Sequence, residues 1–205
     1  MDPVPTNPPE PPAGRPAAVG AGPVRVPVGL VVLVGPPASG KTSFVRALIA
    51  RRQTAAGAVV SSDEIRAELF GVPPAEADVD VVDARVFAER DRRIAARLAA
   101  GRSAIAESTN VTPQARARLL AIAARFRAPV TVLRFPVDVG DLLRQHRERQ
   151  RPDVTEADVR AYAAIMARDA GADRLRSEGP AAVHDVPGRR QRATPAEAAA
   201  RFTFH

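Results

Sequence analysis

Two hydrophobic periods alternate along this chain. Gly29-Leu-Val-Val-Leu-Val34 is a short, continuous apolar run rich in valine, the pattern of a parallel strand buried on both faces. Immediately beyond it, from Ser43 to Arg52, Phe44, Val45, Leu48 and Ile49 recur at helical spacing and share one face. Continued to the C-terminus, the pattern predicts strands at 29–34, 58–61, 103–107, 129–135 and 182–186. It predicts helices at 42–53, 63–70, 82–100, 113–127, 138–149 and 155–170. Thr112 is positioned to cap the helix at 113–127, Pro113 takes its first position, and Leu119, Ile122, Ala123 and Phe126 form its inner stripe. Tyr162, Ala163 and Met166 have the same spacing in the helix at 155–170 and read as core packing. Strand alternating with helix predicts an α/β fold: a five-stranded parallel sheet covered by helices on both faces.

Composition sets the limits of this domain. The 205 residues suit one domain with a substantial core, assigned to 28–187. Residues 1–27 hold nine of the twenty prolines and almost no large apolar side chain, so they read as a disordered or extended arm. Residues 188–205 carry Arg189, Arg190 and Arg192, then an Ala-rich stretch with Phe202 and Phe204; this tail is expected either to dock as a last helix or to fray. No run reaches the roughly 18–20 apolar residues of a membrane span, no apolar leader opens the chain, and there is no cysteine. A cytoplasmic protein without membrane attachment is the expectation. The net charge of +7 has two readings: an anionic partner such as nucleic acid, or a general preference for arginine, which supplies twenty-nine of the thirty basic residues.

The exception to that preference is Lys41. It lies in Gly35-Pro36-Pro37-Ala38-Ser39-Gly40-Lys41-Thr42, a G-x-x-x-x-G-K-[ST] pattern between the first strand and the first helix. The pattern is that of a P-loop, whose backbone amides wrap phosphates while the lysine reaches the β- and γ-oxygens and the hydroxyl binds Mg²⁺. A compact ammonium suits such a pocket better than a planar guanidinium. Residues 35–43, including Ser43 in the first helical turn, are therefore the expected ATP-binding segment, with Thr42 as the Mg²⁺ ligand.

Three further segments carry chemistry. Asp63 follows the second strand, in Ser61-Ser62-Asp63-Glu64-Ile65-Arg66, where ligands gather at the carboxyl edge of a parallel sheet. It can accept the proton of an attacking hydroxyl, or it can cap a helix. Arg66, one turn on, can hold a phosphate of the acceptor. Glu107 ends the third strand and can hold Mg²⁺ through water, while Asn110 can touch bound phosphates or hydrogen-bond within its loop. Finally, Arg144, Arg147, Arg149 and Arg151 precede Pro152 and read as a lid or as a solvated helix face. The spacing of Arg147 and Arg151 puts these two on one face, as the pair that would clamp phosphates. With histidines only at 146, 184 and 205, no zinc-type cluster is visible.

In this order the blocks GPPASGKTSF, VVSSDEIRAELFG, AIAESTNVTPQARARLL, LLRQHRERQRPDVTEADVRAYAAIM and LRSEGPAAVHDV resemble the P-loop kinase domain of bacterial and phage polynucleotide 5′-kinases, a zeta-toxin-like or AAA-type P-loop ATP-binding family. The resemblance covers most of residues 29–187. It implies a P-loop NTPase fold with an Arg-rich lid, ATP and Mg²⁺ as cofactors, Asp63 as general base, Arg66 on an acceptor phosphate, and Arg147 and Arg151 on the phosphates of ATP. Two departures stand out: Glu107 occupies a position that usually carries Asp, and Val154 lies where some members have a further lid arginine. The implied reaction is transfer of the γ-phosphate to a DNA or RNA 5′-hydroxyl. Seven Phe, one Tyr and no Trp offer little for stacking bases. The alternatives are a kinase for a small metabolite or antibiotic, and an ATP-binding regulatory module with weak ATPase activity.

Overall fold

The computed structural model describes residues 22–71, 79–136, 138–149 and 154–205. Its elements in chain order are β1 (Val24–Val26), β2 (Leu30–Val34), α1 (Lys41–Ala50), β3 (Val59–Ser61), α2 (Ser62–Phe70), α3 (Val79–Ala99), β4 (Ala104–Glu107) and α4 (Pro113–Arg125). They continue with β5 (Val130–Arg134), α5 (Val139–Arg149), α6 (Glu156–Asp169), α7 (Ala172–Ser177), β6 (Ala182–Asp185), α8 (Pro195–Ala200) and β7 (Phe202–Phe204). The five strands expected from the sequence form one parallel sheet in the order β3-β4-β2-β5-β6. From β2 the chain moves to one side of the sheet, fills it inward, then crosses to the other side. The two halves therefore part at the carboxyl end of β2, where an open α/β sheet forms its ligand crevice.

The apolar run of β2 is buried along its whole length because each face of the sheet is covered. Leu30, Val32 and Val34 pack with Ile65, Val86, Ile94, Leu119 and Met166, the inner stripes of α2, α3, α4 and α6. Val31 and Leu33 pack on the opposite face with Phe44, Val45 and Leu48 of α1 and with Phe202. Thr112 caps α4 as expected, its hydroxyl accepting from the Ala115 amide at 3.3 Å, and Leu119 and Ala123 are fully buried. A third residue on that stripe is Arg116, buried where the apolar period continues.

The N-terminal end of the described structure differs from the compositional reading, and the C-terminal tail takes the docked one of its two expected outcomes. Val24–Val26, assigned by proline content to the arm, form β1, which pairs in parallel with β7. The C-terminal segment docks through α8 and β7. Phe202 is buried edge-on to Phe44, with centroids 5.7 Å apart, and Phe44 meets Phe135 in the same way at 5.5 Å. Burial of one such ring contributes roughly 1.5–3 kcal/mol. This offsets the weak pairing expected of two three-residue strands. Residues 1–21 of the arm lie outside the described residues.

Candidate active site

The loop Gly35–Gly40 curls over the carboxyl end of β2. Gly35 has no room for a side chain, since a Cβ would lie 2.7 Å from Ser39 Oγ and 2.9 Å from the Phe135 Cβ. Its amide donates to the Thr109 carbonyl at 2.9 Å, joining the loop to the β4–α4 connection. Gly40 stands at φ +95° with open space around it and caps α1 without a side-chain hydrogen bond; no acid lies in the first turn of that helix. A helix start with no side-chain cap and no acid in its first turn is the arrangement that favours an anion. The Lys41 ammonium, nearly buried, donates to the carbonyls of Gly35 at 2.8 Å and Pro36 at 2.7 Å and to Ser39 Oγ at 3.4 Å.

Thr42 and Glu107 meet as their positions at the ends of neighbouring elements suggest. The Thr42 hydroxyl donates to Glu107 Oε1 at 2.6 Å. Burial pushes the Glu107 carboxyl up, while the Thr42 hydrogen bond and the Lys41 charge pull it down, and Glu64 and Asp63 add to the rise. Lys41, Asp63, Glu64 and Glu107 therefore share one electrostatic site. Ser62 and Ser108 hydroxyls are hydrogen-bonded, tying the start of α2 to the loop after β4. A hydroxyl beside a carboxylate is a hard-oxygen set that fits Mg²⁺, which takes few protein ligands when phosphates and water supply the rest. Among the described residues no group of three His, Cys, Asp or Glu side chains forms a self-sufficient metal site.

Asn110 is hydrogen-bonded among backbone carbonyls of β2, β4 and its own loop. It is 2% exposed, and its amide nitrogen donates to the carbonyl of Leu33 at 2.9 Å, with longer contacts to those of Ala106 and Ser108. Paired register between β2 and β4 ends at Val32 and Ala106, so Asn110 satisfies a carbonyl that the diverging strands leave exposed. Asn110 Oδ1 is buried without a partner.

The sequence reading missed Arg116. Its guanidinium donates to the carbonyls of Asn110 at 3.0 Å and Val111 at 2.7 Å, to that of Asp169 at 2.8 Å, and to both Glu178 oxygens at 2.6 and 2.7 Å. It fastens the loop after β4 to the far end of α6. A charged residue at an apolar position of a helical stripe was the available signal.

On the acceptor side, Asp63 opens α2 and is exposed at the carboxyl edge of the sheet. Arg66 is ion-paired with Asp83 of α3, each side chain about a third exposed. Tyr162 packs against the core, as its spacing predicts. It is half-buried, and its hydroxyl is pushed up first by burial, then by Asp158 and Asp83, with Arg66 opposing and Asp63 adding.

Helices α5 and α6, expected to form the lid, close on a small core of Leu142, Val159 and Ala163, against which Ala38 of the P-loop packs. Arg147 is exposed and donates to Glu156 at 2.7 Å. Arg144 pairs with Asp141, and Glu148 with Arg189 at 2.9 Å. Arg151 and the Arg149 side chain lie outside the described residues.

Residues 30–169 match the AAA domain family AAA_33. The chain belongs to this family. Among curated proteins no match was found. Solved structures similar to this AAA domain include a chain of the Pnkp1/Rnl/Hen1 RNA repair complex, 17% identical with a TM-score of 0.58. That match covers 74% of this chain and 46% of the other, so the AAA domain spans about half of that relative. A sugar kinase from Janibacter sp. HTCC2649 is 17% identical with a TM-score of 0.58, covering 85% of this chain and 92% of its own. Shikimate kinase from Acinetobacter baumannii is 18% identical with a TM-score of 0.51, covering 85% and 89%. These likenesses establish a P-loop kinase fold. No helix among the described residues is long and apolar enough to cross a membrane.

Proposed function

We propose that this AAA domain is an ATP-dependent phosphotransferase that moves the γ-phosphate to an acceptor hydroxyl. One observation carries the reading: Asp63 and the Thr42–Glu107 pair share an electrostatic site with Lys41 at the switch point of the sheet. The uncapped amides of α1 and the P-loop hold the phosphates of ATP, and Lys41 exchanges loop carbonyls for phosphate oxygens. Thr42, and Glu107 through water, would hold Mg²⁺, which would supply neutralisation of charge on the β- and γ-phosphates. The proton of the acceptor hydroxyl passes to Asp63 as its oxygen attacks the γ-phosphorus, and ADP leaves. Arg147 of α5 is the lid cation available to the transferring group, once parted from Glu156.

Asp63→Asn tests the reading against a regulatory ATP-binding module. Transfer of labelled γ-phosphate should fall by roughly 10²–10⁴-fold with ATP affinity retained. Unchanged transfer would remove Asp63 from the reaction.

Two acceptor classes have support. The net charge of +7 and the likeness to a chain of an RNA repair complex favour a polynucleotide 5′-hydroxyl. The small-molecule kinases match over nearly their whole length, and the cation expected to hold an acceptor phosphate, Arg66, is already paired with Asp83. The second set bears on the site itself, and we take a small hydroxylated compound as the acceptor.

A further inference from the structure

We propose that Arg116 is a positioning residue for phosphate transfer: its guanidinium is the pivot that ties helix α6, and with it the expected lid, to the loop that holds the start of the P-loop. This rests on the phosphotransferase reading and adds to it a residue that acts on the site through backbone contacts.

Arg116 sits where the inner stripe of α4 should continue in apolar residues, and it is 2% exposed. Its contacts run in two directions. Toward the P-loop, Nη1 donates to the carbonyls of Asn110 and Val111. In the same loop the Thr109 carbonyl accepts the Gly35 amide at 2.9 Å, and the Asn110 side chain donates to the Leu33 carbonyl at 2.9 Å. Toward the lid, Nη2 donates to the carbonyl of Asp169, the last residue of α6. Nε and Nη2 together hold the carboxylate of Glu178, the residue that ends α7. One guanidinium thus grips both flanks of α7, where the chain returns from α6 to the sheet.

From that grip α6 runs back over 14 residues, about 21 Å. Toward its other end, Val159 and Ala163 pack on Leu142 of α5, and Ala38 of the P-loop lies against the same cluster. Ala38 stands at φ +63°, a backbone conformation that a residue with a side chain adopts only at a cost. Helix α6 therefore meets the phosphate loop twice: by packing at Ala38, and at Gly35 through Arg116 and the loop that carries Thr109. A helix held at one end and packed at the other moves as a lever. A shift of Ala38 as phosphates enter the loop is carried to α5 and α6 as a rotation about Asp169. The choice of side chain suits a pivot better than a core. A buried ion pair adds little net stability over an apolar pair of similar volume. A planar fork, however, reaches a carboxylate and three carbonyls at fixed angles, which an ammonium cannot do.

The test is amide hydrogen exchange of the full chain, with and without Mg²⁺ and β,γ-imido-ATP at about 100 times its Kd. In the wild type, amides of α6 should slow together with those that open α1, by up to about 100-fold, because opening of either segment then requires release of the nucleotide. Arg116→Lys should keep the slowing at α1 and reduce that of α6 to less than about threefold, since a point charge cannot hold both directions at once. Its kcat for transfer of labelled γ-phosphate should fall by roughly 10- to 100-fold, with KM for ATP nearly unchanged, the signature of a misplaced lid over a bound nucleotide. Glu178→Gln is the control for stability. It removes the charge partner, keeps an oxygen for the fork and leaves the three carbonyl contacts in place, so it should lower the denaturation midpoint yet retain both slowings. Protection of α6 lost in both variants in step with their midpoints, or retained in both, would overturn the inference. So would a wild-type α6 that nucleotide leaves unchanged while α1 slows, whatever the variants do; the phosphotransferase reading would then stand. Slowing at neither segment would mean that the P-loop takes no nucleotide, and both would fail.

Discussion

The P-loop side of this site and the side we propose for the acceptor are built by different means. Around the P-loop the fixing contacts are buried and largely to backbone. Lys41 is folded onto the loop carbonyls, Asn110 onto the end of β2, and Arg116 onto three carbonyls and Glu178. Around the acceptor and the lid the contacts are partly or fully exposed ion pairs between helices: Arg66–Asp83, Arg147–Glu156 and Arg189–Glu148. Buried contacts to backbone hold one geometry, because each broken hydrogen bond leaves an unsatisfied group. Exposed pairs exchange partners at little cost. The nucleotide side is a fixed cradle, and the acceptor side is a set of charges that a substrate can rearrange.

The sharpest way to break this contrast is Arg116→Ala. Removing one partner of a buried ion pair costs about 3–5 kcal/mol, here compounded by three orphaned carbonyls, and should appear as a large drop in the denaturation midpoint. An ordinary surface effect would mean that the cradle is held by other contacts. Next in size is Lys41→Met, which should lower transfer by roughly 10²–10³-fold, about 2.7–4 kcal/mol of transition-state stabilisation. Lys41→Arg should fail to rescue it in single-turnover transfer, since the pocket is shaped around a point charge.

The same contrast explains what the sequence made legible. The five strands, their parallel pairing and the P-loop motif were readable because each follows from local pattern: apolar runs, helix period and one glycine-lysine motif; the strand order was not. Nor were Asp83 and Arg116, because their meaning lies in partners at distances of 17 to 62 residues. The β1–β7 pair escaped for the same reason. Three-residue strands carry almost no period, and a proline count assigned the first of them to the arm.

The lid offers a smaller test. Arg147 is exposed and engaged with Glu156, so its loss should leave the denaturation midpoint where it is. Transfer should nevertheless fall roughly tenfold, the effect of one charge-assisted hydrogen bond to the moving phosphoryl group. Glu156→Gln should leave transfer intact or raise it slightly, because it frees the guanidinium. A fall in stability with Arg147→Ala and no change in transfer would assign the lid arginine to structure and erase the distinction between the two sides.

The smallest expected effect concerns the one acid of the cradle. Burial raises the Glu107 carboxyl above its ordinary value of 4.5. As pH rises, the unfolded chain therefore releases this proton before the folded protein does. The contribution of Glu107 is fully present below that value and is lost as pH climbs through the raised one. Glu107→Gln keeps an oxygen to accept from Thr42 and removes the titration. Urea midpoints for both proteins between pH ~4 and ~7.5 should show the variant gaining on the wild type as pH rises. A difference that stays constant with pH would mean that Glu107 titrates alike in the folded and unfolded states, so that burial is offset by the Thr42 hydrogen bond and the Lys41 charge.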